Sequence, residues 1–196
     1  MMKKRIYLAS RSPRRAELLQ QLGFETIFMA ADVDESPLPD EVPQDYVLRL
    51  AQAKAETGLA ALQAQGGEAL PLLAADTTVA IDGLILGKPE DDADARAMLL
   101  RMSGRWHEVH TGVAVASASG VHVRLSTTRV EMTTLDEATI QAYIATGEPR
   151  DKAGAYGIQG LASTFIRRIE GSYSGVMGLP VFETSELLKQ AGISVL

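Results

Sequence analysis

Short continuous apolar runs alternate along this chain with longer stretches in which apolar residues recur every three or four positions, a pattern of strands interleaved with helices. Ile6-Tyr7-Leu8-Ala9 is the first run, and beyond the turn at Ser10 to Pro13 the residues Leu18, Leu19 and Leu22 form one helical stripe. Ser12 stands at the N-cap position, Pro13 suits the first helical position because its missing N–H needs no partner there, and Gly23 ends the helix. Residues 25–31 read as a strand, and residues 32–37 as an acidic, proline-bounded loop. A helix is predicted over residues 46–65, with Tyr46, Val47, Leu50, Ala51 and Ala55 on one side and Gly66-Gly67 as its stop. The apolar run of residues 70–75 ends on Asp76 and continues as β through Ile81; Asp82-Gly83 then turns the chain back along Leu84 to Leu86.

Asp91 or Asp92 is placed to cap a helix that runs to about Met102 and stops at Ser103-Gly104. Residues 109–116 and the strictly alternating residues 121–126 make an antiparallel pair across the turn at Ser117 to Gly120. Thr134 and Glu137 have capping-box spacing ahead of a helix bearing Ile140, Tyr143 and Ile144, which Gly147 closes. Residues 148–160 follow no regular pattern, residues 164–169 read as a strand, and Pro180 begins a last helix that reaches Gly192. Mixed strand directions with interspersed helices predict an α/β fold, a mixed, partly antiparallel sheet flanked by helices. With no internal repeat, linker or low-complexity tract, one domain over residues 1–196 is expected.

Composition narrows the function. A chain of 196 residues that is 46% hydrophobic and 22% charged has the balance of a globular protein. It contains no apolar run near the ~18 residues of a membrane span. The basic start Met-Met-Lys-Lys-Arg is followed by too short an apolar run for a signal peptide, so a cytoplasmic location is expected, away from membranes. The lack of cysteine excludes disulfides and thiolate zinc sites. A net charge of −6 argues against a nucleic-acid polymer as partner, since such binding needs a basic surface. A phosphate-bearing ligand of this chain should be small.

A phosphate is what the first helix invites. Arg14 and Arg15 stand in its first turn, where the macrodipole disfavours cations by roughly 0.3–1 kcal/mol each. A bound anion reverses that sign, because free N–H groups, hydroxyls and two guanidiniums then converge on it; arginines paired with nearby carboxylates are the alternative. Asp76 closes a buried run, and a buried carboxylate is uncommon unless paired or metal-bound. Asp34-Glu35 alone is a solvated loop, but with Asp76 it makes a magnesium site, because magnesium prefers one or two carboxylates plus phosphate oxygens and water. Lys88, in Gly87-Lys88-Pro89, is placed to grip a phosphate as a point charge. Residues 83–88 are one short of a Walker A loop, and Pro89 replaces its hydroxyl residue. Residues 154–160 lack the dinucleotide-binding glycine spacing and read as a flexible ligand loop, in which Gln159 offers an amide to a base edge. His107 and His110, at odd spacing in a strand, face opposite ways and are structural; Trp106 reads as a packed loop anchor.

Taken in order, several motifs resemble the Maf family of nucleotide pyrophosphatases over nearly the whole length. They are Leu8-Ala9-Ser10-Arg11-Ser12-Pro13-Arg14-Arg15, Asp34-Glu35, Arg49-Leu50-Ala51 with Lys54-Ala55, Ala75-Asp76-Thr77, Gly87-Lys88-Pro89, Ser103-Gly104, Thr111-Gly112, and Gly147-Glu148-Pro149 with residues 151–156. The resemblance implies an inosine triphosphate pyrophosphatase-like fold, hydrolysis of a nucleoside triphosphate to monophosphate and pyrophosphate, a divalent metal (Mg2+ or Mn2+), and a possible homodimer. It implies that Asp76 is the proton acceptor; on physical grounds Asp76 and Glu35 are also expected to hold the metal, and Ser10, Arg15, Lys54 and Lys88 to clamp the phosphates. Arg14, Thr77 and Gln159 match the positions marking the branch that acts on dTTP and UTP. A sister branch acting on 7-methyl-GTP has glutamine after the aspartate and a glutamate in the later loop. Ser174-Gly175 departs from the larger residues common in relatives before Val176. Two other readings stay open: a nucleotide-sensing regulator of cell division that acts by partner binding, and a phosphatase that releases orthophosphate.

Overall fold

The computed structural model describes residues 4–195. Seven strands form one sheet in the order β2-β1-β3-β5-β6-β7, with β4 pairing the far end of β3. Strands β1 (Lys4–Leu8), β2 (Phe24–Phe28) and β3 (Leu72–Ile81) run parallel, joined by helices α1 (Pro13–Gln21) and α2 (Pro43–Gln65). Strands β4 (Leu84–Leu86), β5 (Trp106–Ser117), β6 (Gly120–Met132) and β7 (Ile166–Glu170) extend it antiparallel. The mixed sheet expected from the sequence is therefore present.

One edge of β3 is shared. On that edge of β3, β1 pairs with Leu72 and Leu73 and β4 with Val79, Ala80 and Ile81, so among the described residues no strand lies beside residues 74–78. The sheet forks there. The hairpin that brings β4 back is tight because Asp82 and Gly83 both adopt positive φ, 55° and 76°.

Alternation along the strands sorts the core onto two faces. Helix α2 covers one face, where Ala51 and Ala55 meet Ala74, Ala114 and Ala116. Small side chains let it approach closely, most of all at Gly112: a Cβ there would lie 2.4 Å from the Val47 carbonyl oxygen. On the opposite face, α1 and α6 (Val181–Gln190) bury Leu18, Leu19, Leu187 and Leu188 against Leu73, Ala75, Val113 and Val115. Helices α3 (Asp92–Met102) and α4 (Glu137–Ala145) cover the β3–β5–β6 end around Val79, Val109, Val130 and Met132.

Several local expectations change. The Ser12 hydroxyl does not cap α1; the Ser12 N–H instead donates to Ser10 Oγ at 3.2 Å. Helix α2 begins a turn earlier than the apolar stripe suggests, at Pro43. Trp106 opens β5 in place of a loop, with the Arg129 and Arg168 guanidiniums over its ring at 4.6 and 5.9 Å. The Thr134/Glu137 capping box does not form, because Asp136 caps α4 through Thr139 N while Glu137 pairs with Arg96. Residues 154–158 are buried, the first two of them in a 3₁₀ turn over Ala153–Ala155, and are more tightly held than a flexible loop. A short helix α5 (Tyr173–Met177), capped by Ser172, was not foreseen. The histidines pack as expected: His107 Nε2 lies 2.7 Å from the Tyr156 hydroxyl and His110 Nδ1 lies 3.0 Å from Thr127 Oγ1, with burial pushing His107 down to about 4.

Candidate active site

A cleft of about 730 Å³ opens in the fork of the sheet. Its wall is built by the loop from β1 into α1, the middle of β3, the turn after β4, residues 151–159 and the end of α5. Ser10, Arg14, Arg15, Glu35, Lys54, Asp76, Thr77, Lys88 and Gln159 line it, whereas Asp34, offered with Glu35 for a metal, does not and accepts from Ser36 N instead. A volume of this size lies within the usual range for small-molecule sites.

Asp76 and Thr77 are adjacent in a strand, so their side chains leave on opposite faces of the sheet. Asp76 points to the α2 face. Only 8% exposed, it accepts a hydrogen bond from Lys54 Nζ at 2.7 Å, and the same ammonium meets Glu35 Oε1 at 2.6 Å. Burial pushes the Asp76 carboxyl above the ordinary carboxylate range, Lys54 and Arg15 pull it back, and Glu35 adds to the rise. Glu35 sits on a loop pinned from behind: Tyr46 donates to its carbonyl at 2.9 Å, and Arg49 binds Glu41 and the Ser36 carbonyl. Burial, with the nearby Asp76 and Glu35, holds the Tyr46 phenol up at about 12, so it stays a donor.

Thr77 points to the α5 face, where the half-buried Arg15 spreads three bonds. Its Nε donates to the Gly178 carbonyl at 2.7 Å, Nη1 to Ser10 Oγ at 2.8 Å, and Nη2 to Thr77 Oγ1 at 3.1 Å. Gly178 has a φ of 113°, a conformation that suits glycine, and this turn aims its carbonyl at Arg15. The two arginines of the first turn thus part ways: Arg15 is fixed in the wall, while Arg14 approaches the Asp151 carboxylate, at 3.7 Å.

Lys88 and Gln159 stand exposed at the mouth of the cleft. Gln159 is set by a buttress from the loop beneath it. The Glu148 carboxylate accepts from the Tyr143 hydroxyl at 2.8 Å and from Leu161 N at 2.9 Å, and Gly157 and Gly160 leave room for that packing. Among the described residues no group of three or more carboxylate or histidine side chains gathers for a metal. Glu35 and Asp76 nevertheless converge on one point beside the cleft, held here by the Lys54 ammonium, and two carboxylates are the sparse set that magnesium accepts.

Tyr46, Lys152 and Phe28 are among the lining residues that escaped the sequence reading. Tyr46 lies two helical steps of four from Lys54, a spacing that puts both on one face of α2 and was readable. Lys152, tied to Asp151 and the Glu148 carbonyl, was visible only as part of a motif. Phe28, 56% exposed at the end of β2, carried no signal.

The Maf-like protein family matches residues 5–191 of the chain. A dTTP/UTP pyrophosphatase of Methylobacillus flagellatus is 62% identical over 97% of this chain and 94% of its own length. The dTTP/UTP pyrophosphatase of Nitrosomonas europaea is 54% identical, covering 97% and 96%. That of Bordetella parapertussis is 53% identical, covering 97% and 94%.

Proposed function

The chain belongs to the Maf-like protein family, and from that premise we propose that its cleft hydrolyses dTTP and UTP to the nucleoside monophosphate and pyrophosphate, clearing the nucleotide pool of the cytoplasm. One observation carries the reading: a buried carboxylate, Asp76, stands where cations from α2 and from the first turn of α1 converge on a single cleft.

Asp76 accepts the proton of the attacking water as its oxygen bonds to the α-phosphorus. The bond from that phosphorus to the oxygen bridging the β-phosphate breaks, and pyrophosphate leaves with the electron pair. A raised carboxyl pKa suits this work, because a stronger base takes a water proton more readily. Arg15 and Ser10 on one face, with Lys54 and Lys88 on the other side of the fork, hold the phosphates and offset charge growing on the leaving group. Glu35 and Asp76 would hold a magnesium or manganese ion, which supplies Lewis-acid polarisation of phosphate oxygens when bound. Lys54 already sits between those carboxylates and keeps them together in the free protein. Arg14 and Gln159 line the cleft apart from this cluster, and they set the pyrimidine preference. A hydrogen-bonding pocket rejects a wrong base strongly, because a mismatch strands buried polar groups.

Product identification on dTTP and UTP, with added Mg2+ and a chelator control, tests the reading. Pyrophosphate and monophosphate are expected, and Asp76→Asn should lower kcat by about a hundredfold or more while leaving the fold intact. Orthophosphate as product would mark a phosphatase. Nucleotide binding without turnover would mark a sensor.

A further inference from the structure

The hydroxyl of Thr77 has no hydrogen to spare. Thr111 lies directly opposite it across the β3–β5 ladder, and their oxygens are 2.9 Å apart. Thr111 is fully buried and donates its only hydroxyl hydrogen to the Gly175 carbonyl at 2.8 Å. The bond between the two threonines is therefore donated by Thr77. On its other side Thr77 accepts from Arg15 Nη2. A directional chain runs from the Arg15 guanidinium through Thr77 and Thr111 to the backbone of α5.

We propose that Thr77 and Thr111 are positioning residues for Arg15, so that the threonine after the aspartate governs the grip on the polyphosphate in place of a direct contact with the base. The proposal rests on the reading of Arg15 as a phosphate-binding residue. Three features support it. The chain ends on Gly175, whose small size lets α5 pack beside Ser126; a Cβ there would come within 3.1 Å of Ser126 Oγ. The Gly178 carbonyl and Ser10 Oγ fix the other two arms of the guanidinium, so Thr77 completes a three-point mount. A valine at residue 77 or 111 would keep the shape and break the chain, leaving a buried polar group unpaired.

Inorganic tripolyphosphate, which has no base, separates the two roles. Inhibition of dTTP hydrolysis by tripolyphosphate is measured for Thr77→Val, Thr111→Val, Thr77→Ser, Thr111→Ser and Arg15→Lys, alongside KM and kcat for dTTP and UTP and a thermal melt. Both valine variants should raise the tripolyphosphate inhibition constant about three- to tenfold, the loss of one hydrogen bond. KM for dTTP and for UTP should rise by a common factor, and both serine variants should stay within about twofold of the parent. Should Thr111→Val fail to fold, the Thr77→Val and Thr77→Ser pair decides. Unchanged tripolyphosphate inhibition in the valine variants, with weakened inhibition in Arg15→Lys, overturns the positioning role; so does a changed base preference at constant inhibition. Unchanged inhibition in Arg15→Lys removes the phosphate-binding premise, and the proposal with it.

Discussion

The carboxyl of Asp76 is set by opposing forces of known sign. Burial favours its neutral form, and Lys54 favours the ionised form, with Arg15 adding to it from the far side of the sheet. Activity that needs the carboxylate should therefore rise with pH along an acid limb above the ordinary carboxylate range. Removing the ammonium takes away the largest counterweight to burial. In Lys54→Met the acid limb of kcat/KM should move to higher pH than in the parent, measured from pH 4 to 9 with saturating metal. A limb that stays in place would mean that another group titrates. The residue scale also explains why Arg15 tolerates an unfavourable position. Three acceptors surround its guanidinium, one of them a main-chain carbonyl, and they outweigh a dipole penalty of at most about 1 kcal/mol.

At the scale of elements, the site depends on how near α2 comes to the sheet. Gly112 pairs with Asp76 in register and lies under the Val47 carbonyl, so this contact fixes the height at which Lys54 meets Asp76. Gly112→Ala should destabilise the protein by about 2 kcal/mol or more, read from chemical denaturation, and weaken turnover because the helix must shift outward. Such close approaches leave little trace in a sequence. The helices and strands were legible because apolar periodicity is written in the residues themselves: the run ending on Asp76, the Asp82-Gly83 hairpin and the stripe of Leu18 and Leu19 all emerged from it. The second half of β6 was missed although Arg129 and Glu131 alternate there with the buried Thr128, Val130 and Met132, as residues do in the half that was read; β5 and β7 pair it on both sides. Short α5 was missed because five residues around Gly175 carry too little pattern to read. The convergence of Arg15 and Thr77, 62 positions apart, follows from strand order and was not visible as geometry.

For the molecule as a whole, the cleft is assembled from segments scattered from Ala9 to Gly178, so a ligand in it ties distant parts of the chain together. In Asp76→Asn, which cannot turn substrate over, dTTP at a hundredfold excess over its Kd should add about 2.7 kcal/mol of stability, a rise in Tm of roughly 5–10 °C. Thermal melts with and without nucleotide check this; an unchanged Tm would mean that the cleft does not hold the nucleotide.

The fork in the sheet carries one more consequence. Carbonyls along a strand point alternately to its two sides, and Leu73 turns its own toward Ala9 N, so Ala75 and Thr77 turn their amides and carbonyls the same way, into the gap between β1 and β4. At Thr77 the cleft is thus bordered by peptide backbone, whose hydrogen-bonding groups persist through side-chain replacements other than proline. Genetic drift can retune what this pocket prefers at its rim far more readily than it can erase the bed on which a ligand rests.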